Sequence, residues 1–167
     1  GVTRRRPPGS LGYWRSDVCS SVPGGPVDLL AALAGWYTPD AAGSGFTALD
    51  PRRILDTRSP NVGAPAGKVS PLKPLDLQVT GSLPTSDGVT ISVPTDATAV
   101  VLNVTATGAT ANTDVRVYPT PADDSATPPL VSNLNLRPGA ATPNLVTVPV
   151  GVGGKVRLTN QNGKRHV

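Results

Sequence analysis

Few residues in this chain are equipped for acid–base, nucleophilic or metal chemistry. His166 is the only histidine and Cys19 the only cysteine, so a Ser-His-Asp or Cys-His mechanism has to run through His166. That residue stands beside Arg165, and no Gly-x-Ser-x-Gly elbow occurs to present a serine to it. An exposed strand-end histidine with no catalytic part is the expectation. One thiol cannot close an internal disulfide, and no Cys/His cluster exists for a metal, so Cys19 reads as an inert cysteine outside the core. Asp123 and Asp124 are adjacent in a Pro-rich stretch. Neighbouring carboxylates cannot face a glycosidic bond from opposite sides, and no run of oxygen ligands at calcium-loop spacing flanks them. They are expected to be solvated loop carboxylates. The chain is thus expected to hold no catalytic residue, no cofactor and no metal.

Arg53, Asp56 and Arg58 in RILDTR are the charges with the most suggestive spacing. Two guanidinium groups about a carboxylate can bind an anion or pair among themselves. Strand alternation puts Asp56 and Arg58 on one face and Arg53 on the other, and local pairing is the usual outcome for such groups. An Asp56–Arg58 network that ties down the end of a strand is therefore expected. Sugar-binding faces stack their ligands on aromatic rings, and here Trp36, Tyr37 and Tyr118 are the weak candidates for ligand contact. Asn103-Val104-Thr105 has the form of a glycosylation sequon but falls in mid-strand, where it reads as outward-facing polar residues.

These side chains have to be positioned by strands. The chain has 167 residues, enough for one domain with a real core. It contains 18 glycines and 19 prolines, no methionine, and only aspartate among its eleven acids. Val and Thr punctuated by Gly and Pro favour short strands joined by turns. Alternating segments follow one another at Arg53–Arg58, Leu75–Thr80, Val89–Val93, Ala99–Thr107, Thr113–Tyr118, Val131–Leu136, Leu145–Val150 and Lys155–Asn160. Pro149 marks its segment as an edge or a strand end. Eight to nine short strands with turn signals between them predict an all-β, antiparallel, jelly-roll-like β-sandwich. Its core would be built from Val, Leu, Ile and Ala with Phe46 as the largest member, so Phe46→Ala would cost about 3–5 kcal/mol if that ring is buried.

Residues 1–26 read as an irregular basic leader, with Gly1 following a processing or excision point. Residues 27–45 read as a strand plus a linker, and 46–167 as the sandwich. Before Asp28 four arginines stand against one aspartate; from there on eleven basic side chains meet ten acidic ones. A nucleic-acid binder concentrates positive charge on its folded body, and a nearly neutral body excludes that class. No apolar stretch approaches the roughly 18 residues that a membrane-spanning helix needs.

Several of these segments resemble a β-rich repeat module of secreted, Streptomyces-like actinobacterial proteins. The run from Phe46 to Arg58, FTALDPRRILDTR, is similar to its opening signature, with Phe46, Arg53, Asp56 and Arg58 as marker positions. AVVLNVT from Ala99 to Thr105, containing Asn103, resembles its middle, as do VRVYP at Val115–Pro119 and SNLN at Ser132–Asn135; Val156–Val167 resembles its end. In that module the last segment reads valine-isoleucine-alanine-aspartate-leucine-alanine-glycine-tyrosine-tyrosine. Its counterpart here is Leu29–Tyr37, with Ala32 in place of the aspartate. The resemblance implies a secreted or cell-surface location and a non-catalytic structural or interaction role. Its partners would be other protein modules or a cell-envelope polymer; the alternative is a carbohydrate or cell-wall binding accessory of an exported hydrolase.

It also bears on Val27–Tyr37, whose Ala and Leu content is helix-like. A strand here would fill the place of the module's last strand and pair backbone groups otherwise left at a sheet edge. It could do so in its own chain or in a neighbour, giving head-to-tail self-association through 27–37. Higher effective concentration favours the intramolecular version.

Overall fold

The computed structural model describes residues 26–40, 43–59, 62–64, 66–71 and 73–161. His166, Cys19 and residues 1–25 of the basic leader lie outside them. The described chain is all-β. Ten strands run in order: β1 (Asp28–Asp40), β2 (Gly43–Asp56), β3 (Leu75–Gln78), β4 (Gly81–Pro84), β5 (Thr90–Val93), β6 (Ala99–Thr107), β7 (Thr113–Pro119), β8 (Leu134–Leu136), β9 (Thr142–Pro149) and β10 (Lys155–Gln161). The helical content among the described residues is one 3-10 turn at Val152–Gly154. One four-stranded sheet has the order β2-β1-β6-β9, a second β3-β10-β7-β8, and β4-β5 form a ribbon, with every pairing antiparallel.

The two sheets close on one aliphatic core. Leu29, Ala31 and Leu33 of β1, Val100, Leu102, Val104 and Ala106 of β6, and Val146 and Val148 of β9 supply one wall. Leu77, Val115, Val117, Leu134, Leu136, Val156 and Leu158 supply the other. Strict alternation aims these side chains inward, and sheets spaced at about 10 Å bury them without aromatic filler.

The Val27–Tyr37 segment is strand from Asp28 onward, in its own chain, and Val27 makes an isolated bridge to Val69. β1 lies between β2 and β6, so both its edges are paired intramolecularly. Local propensity is overruled here because a central strand satisfies two ladders of backbone groups at once. Thr38, Pro39 and Asp40 pair with Gly45, Ser44 and Gly43, so the part read as a linker carries the β1–β2 ladder to its end.

Two irregularities in β1–β2 decide where the marker side chains go. The register shifts between Ala31 and Ala32, where Ile54 is the extra residue, and again between Leu33 and Gly35. An extra residue reverses the alternation beyond it. Past the second shift Trp36 is opposite Val100 and packs on the core, while Gly35 and Tyr37 turn outward.

Phe46 departs from expectation. Opposite Tyr37 on the outward face, it is 50% exposed and no part of the core. β4 escapes the sequence reading because GSLP is too short to alternate; it pairs with β5, with Leu83 opposite Ile91. The Val131–Leu136 segment shortens to three residues, leaving Val131 exposed. Pro149 does end an edge strand, β9.

Candidate functional site

The marker residues fall at two ends of one sheet face. At the end of β2, Leu30 pairs with Asp56 and Ala32 with Arg53. The Asp56 carboxylate accepts from Arg58 Nε at 2.9 Å, Arg58 Nη2 at 2.8 Å and the Arg58 backbone N–H at 3.1 Å. Arg53 Nη1 reaches the same carboxylate at 3.2 Å. The expected Asp56–Arg58 pair is present. Arg53 joins it, contrary to plain alternation, because the bulge at Ile54 brings it round to the same side. The Arg58 hydrogen bonds are the main reason the buried Asp56 carboxyl is lowered to about 2. Between them, Thr57 locks β1: its Oγ1 accepts from Leu29 N–H at 2.8 Å, and its own N–H donates to the Leu29 carbonyl at 3.0 Å.

At the other end of the hairpin Tyr37 and Phe46 stack with centroids 5.1 Å apart and planes tilted by 44°. The Phe46 ring lies over Gly35. A Cβ there would sit 2.5 Å from the ring and 2.7 Å from the Thr47 carbonyl oxygen, so only glycine admits this approach.

Pairing defines what else shares this outer face. Ala32 is opposite Asn103, which is opposite Leu145; Gly35 is opposite Val101, which is opposite Thr147; Tyr37 is opposite Ala99, which is opposite Pro149. Asn103 is exposed, and Leu145 is 63% exposed. In the paired rows between Arg53 and Phe46 no charged side chain points outward; Asp50 stands in the bulge at the β2 edge.

The outer face of the second sheet is different. Arg157 is held in a bidentate pair with Asp76, Nε at 2.7 Å and Nη2 at 2.8 Å. Asp124 approaches its Nη2 at 2.7 Å. Asp124 is therefore an ion-pair partner and not a free loop carboxylate, while Asp123 closes a local turn on Ser125. The Arg157 hydrogen bonds hold Asp76 below the usual carboxylate range, and those of Asp76 first, then Asp124, raise Arg157. Tyr118 is buried beside them, and desolvation pushes its phenol up. Arg116 pairs with Asp114 at 3.0 Å. Tyr118 thus belongs to a packed polar network, Trp36 to the core margin, and Tyr37 to the stacked pair; the three weak ligand candidates do not converge.

An open cleft of about 190 Å³ is lined by Thr57, Lys68, Ser70, Lys73 and Leu75 among others, with no acid, histidine or cysteine in its described lining. Lys68 there donates to the Gly108 carbonyl at 2.6 Å. Among the described residues no three His, Cys, Asp or Glu side chains group as a metal site, and no helix is long and apolar enough to cross a membrane. Sequence reasoning missed Arg157 and Asp76, which lie 81 positions apart and carry no local signal. No family model, curated protein or solved structure matches the chain.

Proposed function

We propose that this chain is a non-catalytic structural or interaction module of a secreted or cell-surface protein, acting through the outer face of the β2-β1-β6-β9 sheet. The observation that carries the reading is the make-up of that face. Wet sheet faces are ordinarily polar, yet beyond the Arg53 row this one presents Ala48, Phe46, Tyr37 and Pro149 in paired rows without a charge, and Leu145 stands 63% exposed on β9. Large exposed apolar patches mark interaction surfaces. On the opposite face Arg116 and Arg157 are held by aspartates.

A carbohydrate or cell-wall binding role is the second reading, and the half-exposed Phe46 beside Tyr37 is what favours it. The tilt of that pair argues against a flat platform for sugar rings. Co-sedimentation with purified peptidoglycan, cellulose and chitin separates the two. The proposal expects the chain to stay in the supernatant. Retention that Tyr37→Ala or Phe46→Ala abolishes would overturn it in favour of the second reading.

A further inference from the structure

Resting on that reading, we propose that the partner of this outer face is a second copy of this chain, packed face to face about a two-fold axis that lies in the interface and runs across the strands. The two ends of the face are chemically complementary. One end presents the guanidinium groups of Arg53 and Arg58, with side chains 45% and 50% exposed above Asp56. The other presents the Phe46 ring beside Tyr37. From Leu30 to Tyr37 the ends are about 23 Å apart at the usual strand rise of roughly 3.3 Å per residue. A two-fold axis across the strands lays the cationic end of each copy on the aromatic end of the other. Cation–π contact is thereby made twice, with no charge opposed to its like.

The one row between the ends, Ala48–Gly35–Val101–Thr147, carries no charge, and the Phe46 ring covers Gly35 within it. Leu145, 63% exposed on β9, overhangs the side. Strand addition through 27–37 is closed to a partner, since β1 has both edges paired at home. Four strands about 4.8 Å apart and eight residues long cover roughly 500 Å² of plane. That is below the ~800 Å² per partner of a standard interface, so the dimer is a weak one, with a Kd of roughly micromolar or above.

The test is sedimentation velocity of the full chain from micromolar to millimolar concentration. Expected is a concentration-dependent dimer, weakened at least tenfold by Ala32→Asp and by Leu145→Asp, and about threefold by Arg53→Gln. Leu145→Asp changes an exposed site, so the comparison holds even if Ala32→Asp is poorly folded. A chain that is monomeric at every concentration overturns the proposal, as does a dimer indifferent to Leu145→Asp and Arg53→Gln. Either result leaves the interaction reading standing, which fails only on specific retention by polysaccharide.

Discussion

The two outer faces of this sandwich are built on equal numbers of antiparallel strands, and they treat their polar groups in opposite ways. On the β3-β10-β7-β8 sheet, Asp76, Arg116, Tyr118, Arg157 and Thr159 stand outward, and pairs with Asp114, Asp76 and Asp124 hold the two arginines. Arg157 is only 7% exposed although it points away from the core. On the β2-β1-β6-β9 sheet the outward rows are small, apolar or uncharged, and the charges retreat to one end around Asp56. A face that leaves apolar surface in water gains by covering it. The first arrangement holds its arginines in ion pairs, and the second leaves Phe46 and Leu145 in water.

The largest expected effect lies in the charged face. Arg157→Ala leaves Asp76 without its guanidinium partner and opens a buried site, at a cost on the order of 3 kcal/mol in urea unfolding. Asp124→Ala removes only the contact of an 87%-exposed side chain and should cost about 1 kcal/mol or less. Equal losses for the two variants would break the distinction between the bidentate sheet pair and the loop pair.

A smaller effect is expected at the charged end of the bare face. The folded carboxyl of Asp56 is lowered from 3.8 to about 2, so the unfolded chain takes up the proton first as pH falls. The stabilisation is complete above the unfolded value and is lost as pH drops through about 4 to 2. It amounts to on the order of 1–2 kcal/mol once the exposure of both arginines is allowed for. Denaturation midpoints from pH 5 to 2 should be flatter in Asp56→Asn than in the native chain. Parallel profiles would show that the Arg53–Asp56–Arg58 cluster contributes nothing to stability.

Phe46→Ala should have the smallest effect on stability. A ring 50% exposed over Gly35 contributes roughly 1 kcal/mol, against the 3–5 kcal/mol of a core phenylalanine. A thermal shift of the size expected for a core residue would place Phe46 with the interior and sharpen the bare face down to Leu145 and its neighbours.

Period-two alternation of Val and Leu between Gly and Pro was enough to read the all-β sandwich and most of its strands. Ala99–Thr107 came through whole as β6, and the pairing of Asp56 with Arg58 was legible because partners two residues apart share a strand face. What alternation cannot register is an inserted residue. The bulges opposite Ala31/Ala32 and Leu33/Gly35 carry Arg53 round to Asp56, Trp36 inward and Tyr37 outward. Phe46 looked like core because it is large and apolar. Its place is set by pairing with Tyr37 over a glycine that admits the ring. The Arg157–Asp76–Asp124 network joins residues from three separate stretches of chain. Burial and charge pairing across such distances are properties of the closed sandwich, since only folding brings those groups within a few ångströms of one another.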